Sequence, residues 1–522
     1  MKFDLLIKNG TVLDGTGAEA IRADIGISGE RIEAIGDLSK AEARQTIDAT
    51  GKIVCPGFID THSHSDAYLL IEPRASSKVF QGITTEVCGN CGASAAPRLG
   101  DAKLPSDWQD KPFPGTWSTV AEYRKLFDQA KPAVNEALLI GHNTLHRGVC
   151  GYEPRGATPD ELKEMCRALE QALDEGGCGL STGLIYPPAS AVPSDEIIAL
   201  AKVCAGRGKI YTSHMRSEGR QLIEAIDEAL NIGRTSGARV EISHLKTSGK
   251  DNWHKLDAAL AKIEAARAEG IEAAADRYPY TASCTDLDIT LPNWALYDGK
   301  AAVLARLADS DTRKRIRDEI LEGRGEFGFG IIMIGSTEHP DLQRFKGMYL
   351  TDAAKALGME PVDALLHIVE KDELRTGGIF FGMSEENMWK ILAQPWVMIG
   401  SDASIRAPDG ILSKDHPHPR AYGSFTKVLR AALDGQTAPL PETVRKMTSL
   451  PAKHFRLKDR GVLKKGNFAD VVVLNPETIK ENTTYARPHQ LSEGVEALII
   501  NGTLTIAGGK LTGQRNGRFL DF

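Results

Sequence analysis

The chain has 522 residues, of which 42% are hydrophobic and 25% are charged, the balance of an ordinary globular protein with a large core. This composition excludes disordered, collagen-like and disulfide-scaffold proteins. The 63 Lys and Arg residues and the 70 Asp and Glu residues give a net charge of −7. The chain therefore lacks the basic surplus that binding to nucleic acid requires.

The N-terminal segment and the cysteines predict where the protein works. The first ten residues, MKFDLLIKNG, carry charges at Asp4 and Lys8 and do not form the apolar stretch of a signal peptide. No run of 18 apolar residues is present that would cross a membrane. Eight cysteines are few for this length and favour reduced thiols. We expect a cytoplasmic protein with a small-molecule substrate and with neither a membrane nor a nucleic acid as partner; the sequence carries no signal of the oligomeric state.

Both ends of the chain are rich in β-branched and apolar residues and predict short strands. Turn signals separate these strands, among them Asn9-Gly10 and Asn501-Gly502. We predict that 1–52 and 455–522 form one small β-sandwich domain. The predicted strands are Phe3–Lys8, Thr11–Leu13, Asp24–Ser28, Asp470–Leu474, Ala497–Ile500 and Leu504–Ile506.

The middle of the chain, 53–454, alternates apolar strands with amphipathic helices. Thr158, Pro159 and Glu161 form the start signal of a capped helix. This alternation predicts a (β/α)8 barrel of the TIM type, in the α/β class, and a doubly wound open sheet is the alternative. The eight predicted strands are Ile53–Asp60, Ile83–Val87, Ala137–His142, Cys178–Leu184, Lys209–His214, Arg239–His244, Ala273–Tyr278 and Val397–Asp402.

The connection between the last two predicted strands is much longer than the others. Within it, 284–348 has a helical stretch of its own and is predicted to be an insertion. Connections of this kind emerge on the catalytic face of a barrel, so we predict a lid over the active site; the alternative is a unit packed on the outside. Its apolar side chains suited to a substrate group are Leu287, Leu291, Trp294 and Leu296.

Two histidines follow the first predicted barrel strand. His62 and His64 lie two residues apart in the segment PGFIDTHSH, and residues i and i+2 of a strand point the same way. Barrel active sites lie at the carboxyl ends of strands. We therefore expect these side chains to converge on a metal ion, and a pair of solvated loop histidines is the alternative.

A CxxC motif follows the second predicted strand, with Cys88 and Cys91 as its cysteines. A redox pair of the thioredoxin type would precede a helix in a much smaller fold. A structural zinc site would need a second CxxC, which the chain lacks. We interpret the motif as the source of one thiolate ligand at the barrel mouth.

Two further histidines and an aspartate end other predicted strands. His214 and His244 each follow a serine at the end of an apolar strand, 30 residues apart, so one βα unit makes them neighbours. Asp402 ends the last strand and is either a helix N-cap or a carboxylate beside the metal. The set predicts metal-assisted hydrolysis, in which a metal lowers the pKa of water and a carboxylate moves its proton.

These motifs resemble the amidohydrolase superfamily and, within it, the D-aminoacylase (N-acyl-D-amino-acid deacylase) family. The similarity covers nearly the whole chain, and GNCG is its most specific segment. The resembling segments are PGFIDTHSH, GITTEVCGNCGAS, STGLIYPP, SHMRSE, SHLK, DRYPYTAS, IGSDAS, DHPHPRAYGSF and RGVLKKGNFADVVVLNP.

The resemblance implies a zinc-dependent enzyme that hydrolyses the amide bond of N-acyl-D-amino acids, with Asp402 as general base and acid. It selects Cys91 as the thiolate ligand. The implied tight zinc site consists of Cys91, His214 and His244, and a second, weaker metal position consists of His62, His64, Cys91 and Asp402.

The resemblance also implies which residues hold the substrate. Arg420 offers a planar fork that matches a carboxylate, and a loop-bracing arginine is the alternative. Lys246 faces the barrel mouth two residues after His244, and an ammonium that reaches the rim is the alternative. The implied substrate-binding set is Lys246, Tyr278, Ser283 and Arg420, with Tyr280 as an alternative to Tyr278.

Two other functions remain open from the sequence. A cyclic-amide hydrolase, acting on hydantoins or dihydropyrimidines, is expected to carry a bridging lysine at the barrel mouth, and no lysine stands at that place. A catalytically inactive barrel used as a binding module is expected to have lost a ligand, and each motif here is intact.

Overall fold

A nearly closed barrel forms the centre of the computed structural model, which describes residues 2–100, 102–105, 108–323 and 328–522. Its eight parallel strands follow one another in chain order around the sheet. The backbone N–H of Asp402 donates to the carbonyl of His62 (2.8 Å), so the first and last strands are neighbours. This closure confirms the (β/α)8 prediction, because a doubly wound sheet would leave two open edges. The barrel strands are Phe58–Asp60, Ile83–Cys88, Asn135–Gly141, Gly179–Gly183, Ile210–His214, Arg239–Ile242, Ala273–Arg277 and Val397–Ile399.

Amphipathic helices cover the outside of the barrel. Pro159–Asp174 begins with the predicted capping box, in which Thr158 and Glu161 satisfy each other's backbone N–H. It buries Met165 and Leu169 against the barrel. None of the helices in the described ranges is long and apolar enough to cross a membrane. The helices outside the insertion are Ser76–Val79, Val120–Ala130, His142–Cys150, Pro159–Asp174, Ser194–Gly206, Leu222–Ser236, Leu256–Ala268, Glu385–Leu392, Arg420–Leu433, Leu440–Met447 and Ser449–Phe455.

Both chain ends contribute to a second sheet, whose nine strands surround an apolar cluster of their own. A bridge between Arg31 and Phe468 brings one end of this sheet back towards its middle. The strands are Lys2–Val12, Ile21–Ser28, Arg31–Gly36, Glu42–Asp48, Ile53–Pro56, Val471–Leu474, Val495–Ile500, Thr503–Ala507 and Lys510–Leu511.

The predicted strand Ile53–Asp60 was wrong as a single element. Ile53–Pro56 pairs with Val471–Leu474 in the second sheet, whereas Phe58–Asp60 belongs to the barrel. The chain changes sheets at Gly57, where a Cβ atom would lie 2.2 Å from Cγ2 of Thr84. The sheet built from the chain ends therefore extends to Pro56, beyond the predicted boundary at residue 52.

The insertion is larger than the predicted 284–348. A three-stranded antiparallel sheet holds it together, and its last strand, Gly377–Phe381, lies beyond residue 348. Its own apolar core runs from Leu287 to Val369. Residues 324–327 of the predicted insertion lie outside the described residues. The other strands and the helices of this unit are Ala282–Asp286, Ile332–Ile334, Lys300–Ala308, Ser310–Gly323, Leu350–Leu357 and Pro361–Lys371.

Candidate metal centre

Six side chains with metal-binding atoms meet at one end of the barrel. They follow five different barrel strands, at the carboxyl ends where barrel active sites lie. The structure groups them into two clusters that share one thiol, and within each cluster the ligand atoms lie within 4.8 Å of one another. The first cluster is Cys91, His214 and His244, and the second is His62, His64, Cys91 and Asp402.

Cys91 lies between the two clusters. Its Sγ is 3.4 Å from Nε2 of His244 and 3.3 Å from Nε2 of His62. On one side, Nε2 of His244 is 3.0 Å from Nδ1 of His214. On the other side, Oδ1 of Asp402 is 3.2 Å from Nε2 of His64. The sulfur of Cys91 therefore lies where it could bind a metal ion in either cluster, or one in each.

Three of these residues have a left-handed backbone that non-glycine residues seldom adopt. The φ angles are 53° for Cys91, 38° for His244 and 52° for Asp402. Each of these turns comes just after a strand and directs a side chain into the barrel mouth. Next to Cys91, a Cβ atom at position 92 would lie 2.7 Å from the backbone nitrogen of Gly183, so glycine is required there.

The electrostatics of the cluster favour the charged forms of the thiol and the carboxyl. Burial opposes the thiolate, but the imidazoles of His62 and His244 hold the pKa of Cys91 well below its usual value. Burial likewise opposes the charge of Asp402, but the Arg420 guanidinium keeps the pKa of its carboxyl well below the usual range. Both groups are therefore ready to act as anionic ligands or as a base at neutral pH.

The donor set fits zinc, which binds thiolate, imidazole and carboxylate ligands. Two carboxylates behind the cluster strengthen this fit. Nδ1 of His62 donates to Oδ2 of Asp276 (2.9 Å), and Nδ1 of His244 lies 2.9 Å from Oε1 of Glu218. Zinc-binding histidines usually donate their second N–H in this way, which leaves the other nitrogen free for the metal.

Sequence reasoning missed both of these carboxylates. Asp276 stands in the segment DRYPYTAS and Glu218 in SHMRSE. From the sequence, the first segment was used for Tyr278 and the second for His214, and neither carboxylate was given a role. The period-2 alternation of the seventh barrel strand could have pointed to Asp276 as an inward residue. Glu218 lies in a loop, where the sequence carries no comparable signal.

The four residues predicted to hold the substrate lie around the metal cluster. Lys246 and Ser283 line the cavity above it. Nη1 of Arg420 donates to Oδ2 of Asp402 (2.5 Å) and Nη2 to the carbonyl of Cys284 (3.1 Å). Tyr278 is fully buried beneath the Arg420 guanidinium, 4.7 Å from the ring centre, and its hydroxyl has no partner among the described residues.

A cavity of about 1480 Å³ opens over the metal cluster. Side chains of the insertion form a large part of its wall, including Leu296, Ile289 and Phe380. Of the four apolar residues predicted to face a substrate, Leu296 alone lines this cavity. Leu287, Leu291 and Trp294 pack in or against the insertion's own core, because a unit of this size must bury an apolar interior of its own.

A third group of metal-binding side chains lies behind the Cys91 loop. Nε2 of His142 and Nδ1 of His146 both donate to Oε1 of Glu196 (2.8 and 2.9 Å). The other nitrogen of each ring is buried and has no partner within the described part of the chain. A metal would turn these nitrogens into buried N–H donors without acceptors. We therefore interpret this group as a hydrogen-bond network.

Comparison with known proteins relates the whole chain to one family. The model described as "Amidohydrolase family" matches residues 45–314 and 388–506. The chain is 37% identical to the N-acyl-D-glutamate deacylase of Alcaligenes xylosoxydans xylosoxydans, over 96% of this chain and 93% of that protein. It is 35% identical to the D-aminoacylase of the same organism, over 99% and 97% of the two chains.

A solved structure supports the same relationship. The N-acyl-D-glutamate deacylase of Bordetella bronchiseptica, in complex with zinc and a phosphonate inhibitor that mimics the tetrahedral intermediate, superposes with a TM-score of 0.86. The two sequences are 34% identical, and the match covers 100% of each chain. The family match leaves out 315–387, a stretch that belongs mostly to the insertion and ends in the helix Glu385–Leu392.

Proposed function

The chain belongs to the amidohydrolase family, and we propose that within it this protein is a zinc-dependent deacylase that cleaves N-acyl-D-amino acids to a carboxylate and a free D-amino acid. The observation that carries the proposal is the position of Cys91, whose sulfur lies between two clusters of metal-binding side chains with Asp402 beside it. The deacylase activities of the relatives support the choice of linear N-acyl-D-amino acids as substrates.

In the proposed reaction, Cys91, His214 and His244 hold the tight zinc, and His62, His64 and Asp402 join Cys91 in a second, weaker position. Bound zinc supplies a Lewis acid that polarises the amide carbonyl and lowers the pKa of water to about 7. Asp402, ionised because its pKa is well below the usual range, takes the proton from the attacking water. It then returns this proton to the leaving amine nitrogen.

We assign capture of the substrate carboxylate to Arg420 and Lys246, which both line the cavity. Ser283 lines the same wall and offers a hydroxyl to the substrate. Tyr278 acts through Arg420. Its ring lies under the Arg420 guanidinium, and this cation–π contact helps to fix the orientation of the guanidinium. Because Arg420 also donates to Asp402, we infer that substrate binding and the catalytic base are coupled through one guanidinium.

The two alternatives fit less well. A cyclic-amide hydrolase would carry a bridging lysine, whereas the atom shared by the two clusters here is the sulfur of Cys91. An inactive barrel would have lost a ligand, whereas all six candidate ligands converge in this structure. The eight free cysteines are compatible with the cytoplasm as the proposed compartment.

The decisive experiment is a substrate screen with the purified, zinc-loaded enzyme. N-acetyl-D-amino acids, their L-enantiomers and a cyclic ureide such as hydantoin are compared under the same conditions. We expect turnover of the D-series, with little or no turnover of the other two. Turnover confined to hydantoin would assign the protein to the cyclic-amide hydrolases, and turnover confined to the L-series would remove the stereochemical part of the proposal.

A further inference from the structure

Glu218 lies beside the metal cluster, in the loop after the fifth barrel strand. Its side chain is only 11% exposed. One oxygen, Oε1, lies 2.9 Å from Nδ1 of His244 and 2.5 Å from Nζ of Lys246. The loop is fixed from the sixth strand, because the N–H of Ser248 donates to the carbonyl of Glu218 (2.7 Å). The same oxygen lies 3.9 Å from Nε2 of His214. A largely buried carboxylate therefore contacts His244 and Lys246 closely, with a second metal-binding histidine at a longer distance.

Two hydrogen-bond arrangements compete at His244. Nζ of Lys246 is 2.7 Å from Nδ1 of His244, so the ammonium could donate to that nitrogen. The ring proton would then sit on Nε2, the nitrogen that faces Cys91 and His214, and Nε2 could not bind a metal. In the other arrangement Nδ1 carries the proton and donates to Glu218, and the lone pair of Nε2 points into the cluster.

A carboxylate at this point selects the second arrangement. It accepts hydrogen bonds only, and it has room for several. It can therefore accept from the Nδ1–H of His244 and from the ammonium of Lys246 at once, and bonds of this charged type are about twice as strong as neutral ones. An amide in the same place would carry no charge and would offer one acceptor oxygen, so the ammonium would turn to the imidazole.

We propose that Glu218 is a positioning residue that keeps His244 in the Nδ1–H tautomer and accepts the hydrogen bond of Lys246 in place of that ring, so that Nε2 of His244 is free to bind zinc. The proposal rests on the zinc set assigned above. It adds that the affinity of this site for zinc depends on a carboxylate outside the ligand set. Glu218 touches neither the ligand atoms that face the metal nor the substrate amide, so its effect passes through His244 and Lys246.

The test compares Glu218→Gln with Glu218→Asp and with a matched control, Glu228→Gln. Glu228 is a carboxylate of similar exposure (15%), is paired with Arg216 at 2.9 Å, and belongs to neither candidate metal cluster. Zinc affinity is measured by competition with a chromophoric chelator. The tautomer of His244 is read from ¹⁵N imidazole shifts in histidine-labelled, zinc-free protein, and the melting temperature reports on folding.

We expect Glu218→Gln to weaken zinc binding about 10- to 100-fold and to move the His244 proton to Nε2. Glu218→Asp should recover part of the affinity, because the negative charge is kept. Glu228→Gln should bind zinc as the wild type does. Supplying saturating zinc to Glu218→Gln should restore much of kcat while KM stays raised, since Lys246 is no longer held at the cavity wall.

Zinc binding by Glu218→Gln within twofold of the wild type, or an unchanged His244 tautomer, would overturn the proposal. Equal weakening in Glu228→Gln would also overturn it, because the effect would then come from the fold. Failure of this proposal can be distinguished from failure of the deacylase proposal. A wild-type protein that binds zinc but hydrolyses no N-acyl-D-amino acid, with weakened zinc binding in Glu218→Gln, rejects the deacylase and keeps the role of Glu218. A wild-type protein that binds no zinc rejects both.

Discussion

Oδ2 of Asp402 accepts a hydrogen bond from Nη1 of Arg420 at 2.5 Å, while its Oδ1 faces the imidazoles of His62 and His64 at 3.4 and 3.2 Å. One oxygen of this carboxylate therefore contacts a cation at the cavity wall, and the other contacts the metal-binding side chains. The guanidinium keeps the carboxyl ionised, and the remaining oxygen is the one that can exchange a proton inside the cluster.

Replacing Asp402 by asparagine should leave the fold intact and reduce kcat by about 10²- to 10⁴-fold, because an amide cannot accept the proton of the attacking water. Steady-state kinetics and zinc content by elemental analysis are measured together. Asp409→Asn serves as the control, since Asp409 is exposed and pairs with Arg74. A variant at position 402 with nearly normal kcat would reassign this aspartate to a structural role.

Arg420→Lys should lower kcat/KM by about 10- to 100-fold, because lysine keeps the charge but loses the planar fork. Since Arg420 contacts Asp402, kcat should fall as well as KM rise, which distinguishes it from a residue that only captures substrate. Arg430→Lys is the matched control on the same helix, where Arg430 pairs with Asp434 near the surface. An unchanged KM for an N-acyl-D-amino acid would exclude Arg420 from carboxylate binding.

Metal removal should abolish turnover, and added Zn²⁺ should restore it. Cys91→Ser should lose zinc from both clusters, because its sulfur belongs to each, whereas His64→Asn should affect only the weaker position. Zinc per chain, measured by elemental analysis, and activity are compared. Cys284→Ser is the thiol control, because Cys284 lines the same cavity without belonging to either cluster. Full activity of protein shown to be free of metal would contradict the proposed mechanism.

Lys446 should make stability depend on pH. Burial lowers its pKa from 10.5 to about 7, and its ammonium contacts the carbonyl of Leu392. Between pH 7 and pH 10.5 the unfolded chain binds a proton that the folded chain does not, so the contribution of Lys446 to stability rises with pH. Lys446→Met should therefore be more stable than the wild type near pH 7, by an amount that shrinks as pH rises.

The measurement is chemical denaturation of both proteins across this pH range. Comparing the difference between them cancels the titration of all other groups. Lys453→Met, at an exposed position of the next helix, should give a difference that does not change with pH. A constant difference for Lys446→Met as well would mean that the buried ammonium keeps an ordinary pKa.

The insertion should close over a bound ligand. Its wall residues Ile289 and Leu296 face the cavity, and closure would exclude water from the metal cluster. A phosphonate analogue of an N-acyl-D-amino acid should therefore slow hydrogen exchange in 287–296. The helix Pro361–Lys371 belongs to the same unit but does not line the cavity, so its exchange should not change. Protection near Asp402 without protection in 287–296 would assign the insertion to the scaffold.

Local sequence patterns predicted the barrel and the candidate ligands that converge at its mouth. Each barrel strand is a short apolar run bounded by turns, and each candidate ligand stands at or just after the end of such a run, where the parallel topology fixes its position. His214 and His244 became neighbours because a spacing of 30 residues is one βα unit. The choice between Cys88 and Cys91 rested on resemblance, and the structure gives its physical basis: Cys88 is buried in the apolar core, while the left-handed turn at Cys91 aims its sulfur at His62.

Contacts between distant segments decided the rest. Asn9-Gly10 has the composition of a hairpin turn, yet it forms a bulge within the strand Lys2–Val12, because that strand pairs on both sides and the chain continues straight through. The extent of the insertion depended on the strand Gly377–Phe381 pairing with Ala282–Asp286 across almost a hundred residues, which no local pattern encodes.

By itself, the sequence identified the strand ends and the candidate metal-binding residues that stand at them, because residue type and strand ends are local properties. The tertiary structure alone decided which residues support them. Glu218 has no distinguishing local pattern, and strand alternation at Asp276 indicates only an inward side chain. Folding brings each carboxylate within 2.9 Å of a particular imidazole nitrogen, and no local pattern encodes that pairing. A hydrogen bond depends on distance and direction in three dimensions, and these are fixed only when the whole barrel closes.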